Sequence, residues 1–185
     1  MKKFLSLFRR KKEDRVIKYI EKDVYNLVDV DPTQISDLPH KGKLIKARVV
    51  EVYDGDTCTV IFAYGTEFLK FKIRVLGVDT PEIKVRGVDK NNEKAVNLAK
   101  LEKEAGIIVR DDVRNLIQNS IVSIKMSKWD KFGGRVNGEI FLQQGGTLTD
   151  FLLEHNLAKL YDGGKKEAWS KKELQTIIKQ NNPIK

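Results

Sequence analysis

The chain has 185 residues, which favours one domain with tails, and its apolar share of 41% is enough for a packed core. Its net charge of +9, from 35 Lys and Arg against 26 Asp and Glu, points to a polyanionic partner, either nucleic acid or an anionic membrane. A single cysteine excludes an intramolecular disulfide, two His far from that cysteine argue against zinc, and no apolar stretch reaches the length of a membrane-spanning helix.

The chain starts with a basic segment, residues 1–12, whose apolar run over 4–8 is too short for the core of a signal peptide and is followed by four cations, Arg9 to Lys12. The expected location is therefore intracellular. Two readings of the segment stay open: a solvated basic tail, or a short amphipathic anchor for a membrane, a nucleic acid or another protein. Residues 13–28 place Val16, Ile17, Ile20, Val24 and Leu27 at the spacing of an amphipathic helix. Residues 29–42, with Pro32, Pro39 and Gly42, read as a linker. The expected organisation is thus an extension over 1–42 and a main domain over 43–185.

Residues 44–52 are rich in Val and Ile and predict a strand. Asp54-Gly55-Asp56 is a tight turn in which Gly55 is expected to supply a positive φ. Alternation over 57–63 and 67–76, around the turn Tyr64-Gly65-Thr66, predicts two further strands of a meander, with Cys58 a small core residue. Pro81 ends that element and 83–92 is a loop. Residues 93–119 carry helical periodicity, with a break or kink expected at Gly106. Two more strands, 121–129 and 135–142, flank the turn Lys131-Phe132-Gly133-Gly134. Helices are expected over 147–156 and 165–180. Three strands, a helix, two strands and further helices predict an α+β chain: a five-stranded OB-fold β-barrel with about three helices and an N-terminal helical extension.

The chemistry gathers in two acidic turns, Asp54-Gly55-Asp56-Thr57 and Asp79-Thr80-Pro81-Glu82, joined by a hairpin that ends in Arg74. Carboxylates brought that close raise one another's pKa unless a cation sits among them. A cation preferring oxygen ligands suits them, so Asp56 and Asp79 are candidate metal ligands with the Thr80 carbonyl as a third. Ca²⁺ is expected, with Mg²⁺ and Mn²⁺ as alternatives. Glu82 is placed to act on a water, and Arg74 and Arg135 to grip a phosphate as charge builds on it. Each turn taken alone is ordinary turn chemistry, because Asp, Gly and Pro favour turns for backbone reasons.

Three stretches sharpen the reading: 52–57 (Val-Tyr-Asp-Gly-Asp-Thr), 71–82 (Phe-Lys-Ile-Arg-Val-Leu-Gly-Val-Asp-Thr-Pro-Glu) and 130–135 (Asp-Lys-Phe-Gly-Gly-Arg). In order and spacing, and with Asn156-Leu157-Ala158-Lys159 after the second helix, they strongly resemble the staphylococcal nuclease, or thermonuclease-like, family. The resemblance covers roughly residues 43–179. It implies an OB-fold barrel and a Ca²⁺-dependent endonuclease acting on DNA and RNA and leaving 3′-phosphates. It implies that Asp56, Asp79 and Thr80 bind calcium and that Arg74, Glu82 and Arg135 are catalytic. Lys131 and Tyr161 become candidate phosphate and base contacts, and Lys84 with Arg86 lies in a loop bordering the site. The chain departs from the family where Phe132 replaces a tyrosine and where Gly133 and Gly134 replace a single glycine. The expected enzyme is a monomer that favours single-stranded substrate. The rivals are a non-catalytic nucleic-acid-binding OB-fold module, and a scaffold or membrane-bound role run by the N-terminal extension.

Overall fold

The computed structural model describes residues 30–131 and 133–181. The basic tail, the helix expected over 13–28 and Phe132 lie outside the described residues. The chain divides into two units between Asp37 and Leu38. In the first, Pro32–Gln34 form a 3-10 turn capped by Asp31, whose carboxylate accepts from Thr33 N and Oγ1 at 2.9 and 2.7 Å.

The second unit is built on strands β1 (Leu44–Asp54), β2 (Thr57–Tyr64), β3 (Glu67–Val75), β4 (Gly77–Asp79), β5 (Ile121–Trp129), β6 (Val136–Phe141) and β7 (Lys159–Tyr161). Its helices are α1 (Glu93–Ile117), α2 (Leu148–Glu154) and α3 (Lys171–Asn181). Five strands close a barrel in the order β1-β2-β3-β6-β5. All its pairings are antiparallel except β3 with β6, which run parallel over Ile73–Val75 and Val136–Gly138. This is the α+β, OB-fold-like barrel with three helices expected from the order of elements.

Alternation makes the barrel. Ala47, Val49 and Val52 from β1, Val60 and Phe62 from β2, Ile73 and Val75 from β3, Val122, Ile124 and Met126 from β5, and Val136 and Ile140 from β6 are all buried. Helix α1 buries Ala105, Val109, Val113 and Ile117, one helical stripe, and lies against β1 and α3. Leu38 joins this core, and the Gly42 N–H donates to Met126 O at 2.7 Å.

Four expectations need correction. Helix α1 runs unbroken through Gly106. A Cβ there would lie 2.5 Å from Pro81 O and 3.0 Å from Glu82 C, so the glycine serves a close approach between helix and turn rather than a kink. Gly55 is not at positive φ either. A Cβ on it would meet Val109 Cγ1 at 2.6 Å and Thr80 Cγ2 at 2.8 Å, so it too is required by contact. The last helix starts at Lys171, not 165: Ser170 N donates to Glu173 Oε2 at 2.7 Å and Glu173 N to Ser170 Oγ at 3.3 Å, a capping box that leaves 162–170 as loop. Two short strands were missed. β4 and β7 pair antiparallel, Gly77 with Tyr161 and Asp79 with Lys159, and three residues are too few to leave a periodic signal.

Candidate active site

Backbone pairing delivers the two acidic turns to one end of the barrel. Register shifts in β1, the last between Val52 and Asp54, bend the strand into its turn. The ladder of β2 with β3 sets Thr57 opposite Arg74, and the Val75 N–H donates to Asp56 O at 2.8 Å. Asp79 ends β4, held by β7 on one side. The packing of Gly55 on Thr80 and of Gly106 on Pro81 and Glu82 then clamps both turns against α1.

The side chains form one charged cluster. Arg74, only 8% exposed, ion-pairs through Nη1 with Asp56 Oδ2 and through Nη2 with Asp79 Oδ1, the latter at 3.3 Å. Asp56 Oδ2 also accepts from Thr80 N and Oγ1, each at 3.2 Å. Thr57 Oγ1 donates to Asp56 Oδ1 at 3.0 Å. Lys166 Nζ bridges Asp79 Oδ1 and Glu82 Oε1, each at 2.7 Å. The Glu82 N–H donates to Glu102 Oε1 at 3.3 Å, which ties the turn to α1.

Crowding moves the ionisations. Burial, then the neighbouring charge of Asp56, pushes the Asp54 carboxyl up to about 7. Burial also raises Asp79, against the opposing pull of Lys166. Glu102 is raised by burial, with the charges of Glu82 and Asp79 adding to it. Burial would lower Lys166, but its bonds to Asp79 and Glu82 outweigh that and hold its ammonium protonated.

Asp56, Asp79 and the Thr80 carbonyl offer hard oxygen donors, and Asp54 adds a buried carboxylate beside them. Among the described residues no three His, Cys, Asp or Glu side chains converge as a ready metal cluster. Two carboxylates and a main-chain oxygen are donors of the type a Ca²⁺-like ion takes. Burial is the first cause of the rise at both Asp54 and Asp79, and at Asp79 it outweighs the opposing pull of Lys166 and Arg74.

A cleft of about 670 Å³ opens on this cluster, and Asp56, Arg74, Glu82, Lys131, Arg135 and Tyr161 all line it. Asp79 and Thr80 are buried behind it, 4% and 3% exposed. Arg135 follows a turn in which Gly133 and Gly134 both take positive φ, 74° and 73°. It bonds Asp130 Oδ2 through Nε at 3.1 Å and Nη2 at 2.7 Å. The Tyr161 ring lies 5.8 Å from Arg74 Cζ, and its hydroxyl donates to Gly164 O at 3.3 Å. Lys131 Nζ donates to Gly163 O at 3.2 Å. Lys84 is not brought into the cleft: its Nζ lies over the Tyr53 ring at 5.9 Å.

Three residues of the cluster were missed from sequence. Lys166 sits in a segment that reads as helix, so nothing singled it out. Glu102 is one of many acidic residues on α1. Asp130 had a usable signal, since it lies five residues before Arg135 at the other end of the same turn. No protein-family model matches the chain, and no curated protein matches it.

Proposed function

We propose that the chain is a Ca²⁺-dependent endonuclease of the thermonuclease type. It hydrolyses phosphodiester bonds in DNA and RNA, favours single strands and leaves 3′-phosphates, with Mg²⁺ and Mn²⁺ as alternative ions. One observation carries the reading: Arg74 is buried between Asp56 and Asp79 on a cleft that Glu82 and Arg135 also line. Burying a guanidinium costs several kcal/mol unless its partners compensate, so the arrangement is maintained against a desolvation cost. The charge of +9 suits a polyanionic substrate. Among the described residues no helix is long and apolar enough to cross a membrane.

Asp56, Asp79 and the Thr80 carbonyl would hold the calcium ion, which when bound supplies Lewis-acid polarisation of a phosphoryl oxygen. The chain's own residues do the rest. Glu82 accepts a proton from water as the water oxygen forms a bond to phosphorus. The bond from phosphorus to the 5′ oxygen breaks, its electron pair leaves on that oxygen, and solvent protonates it. Arg74 and Arg135 donate to the phosphoryl oxygens, where negative charge accumulates. For this, Glu82 exchanges Lys166 for water, and Arg135 exchanges Asp130 for phosphate.

The test is cleavage of labelled single-stranded DNA with Ca²⁺ and then with chelator, beside the Glu82→Gln protein. Cutting is expected to need calcium and to fall about 10²–10⁴-fold in the variant with its fold intact. Near-wild-type cutting by Glu82→Gln would remove Glu82 from its role. A second reading, a barrel that binds nucleic acid without cutting it, is favoured by the ion pairs that already engage Glu82 and Arg135. Tight binding with no cutting under any divalent ion would establish it.

A further inference from the structure

A second groove, about 430 Å³, lies beside the cleft, and Trp129 lines both. It exists because β3 is paired unevenly. Residues 67–72 of β3 bond β2 alone, while β6 joins only from Ile73. The free edge leaves room between β3 and the end of β5, and Lys70, Phe71 and Lys72 line that room. Trp129, Gly134, Glu51 and Thr59 complete its lining.

The chemistry of this groove differs from that of the cleft. Trp129 is 38% exposed, a large ring at the surface, and its face is set by Phe71 at 5.3 Å between ring centroids. Phe71 is set in turn by Phe62 at 5.2 Å. An aromatic platform braced from below presents a flat surface at little entropic cost. Lys70 and Lys72 are exposed and alternate with Phe71, on the face of β3 that ends in the site's Arg74. Residues two apart on a strand stand about 6.6 Å from each other, so the three cations form a row that an extended sugar–phosphate chain can follow. Glu51 Oε2 accepts from Thr59 Oγ1 at 3.3 Å, leaving its other oxygen as an acceptor for the amino edge of a base. Gly134 carries no side chain into the groove, and a Cβ on it would meet nothing within 4 Å.

We infer that this groove is a nucleobase subsite for single-stranded nucleic acid, taking the base of a nucleotide beyond the two that flank the phosphate held in the cleft. The base stacks on Trp129 while Lys70 and Lys72 follow its phosphates. The inference deepens the proposed nuclease and rests on that reading for the strand's position, but base stacking and cation pairing need no cleavage.

Two measurements on the full chain separate the inference from the reading beneath it. The first is cleavage with Ca²⁺ of a dinucleotide and of an oligomer of about six nucleotides. The wild type is expected to prefer the longer one by about 5- to 100-fold in kcat/KM, the contribution of one stacked base. The doubly substituted Lys70→Gln, Lys72→Gln protein is expected to lose several-fold of that preference, the share its two phosphate contacts supply, and to cut the dinucleotide as before. An unchanged preference overturns the subsite. The second is tryptophan fluorescence in chelator, where Trp169 is buried and Trp129 reports. The hexamer should quench it in the wild type, and the double variant should need several-fold more. If no substrate is cut at all, the nuclease reading fails and the quenching alone decides the subsite; its absence overturns it.

Discussion

Gly106 offers a test in which two general effects oppose each other. In an exposed helix, Gly→Ala stabilises by about 1 kcal/mol, because glycine loses more backbone freedom on folding. In this chain the new methyl would sit 2.5 Å from Pro81 O, 3.0 Å from Glu82 C and 3.1 Å from Glu82 O. All three are main-chain atoms and cannot swing aside as a side chain could. Relief needs a shift of about an ångström between α1 and the turn, and overpacking of this kind costs about 1–3 kcal/mol. The balance predicts that Gly106→Ala is destabilised by about 1 kcal/mol, a fall in Tm of about 2–4 °C for a unit of this size. The same shift displaces Glu82, and a misplacement of about an ångström costs on the order of 10²-fold in rate. Urea unfolding with m-values checks the first effect and cleavage of single-stranded DNA the second. A variant more stable than the wild type would refute the close approach of helix and turn as the reason for this glycine.

Two further predictions follow from the charges. Asp54 titrates at about 7 in the folded chain against 3.8 ordinarily, so between those values the folded state binds the extra proton and stability falls as pH rises. In chelator, Asp54→Asn is therefore expected to be more stable than the wild type above pH about 7, with the gap closing towards pH about 4; a gap that does not vary with pH would refute the buried carboxyl as its source. Lys166→Gln removes a cation that meets Asp79 and Glu82 at 2.7 Å. Calorimetric Ca²⁺ titration of that variant is expected to show several-fold tighter binding, and unchanged affinity would mean that Lys166 does not compete for these carboxylates.

The glycines separate what periodicity carries from what it does not. Alternation in residues 44–75 and 121–141 identified the five barrel strands, because a strand with one face in a core repeats every two residues whatever it packs against. The same local logic misread Gly55 and Gly106. A glycine in a turn suggests positive φ and one in a helix suggests a kink, yet both are there for atoms distant in sequence: Val109 and Thr80 in one case, Pro81 and Glu82 in the other. The cleft divides similarly. Asp56, Arg74, Asp79 and Glu82 stand out because their two turns flank one hairpin, a short-range relation that strand pairing carries into space. Lys166 reaches the same carboxylates from 84 residues beyond Glu82, and only the loop freed by the Ser170 capping box takes it there.

By itself, then, the sequence determined the α+β class, the five strands and the turns that bring the acidic residues together, since these follow from local periodicity and turn chemistry. Tertiary structure alone decided the parallel closure of β3 on β6 and the β4–β7 ladder that holds Asp79. It also decided which cations reach the carboxylates, and that the free edge of β3 leaves a groove beside Trp129. Those features depend on which distant segments share the barrel's end, and pairing between segments far apart in sequence leaves no mark in the pattern of either one.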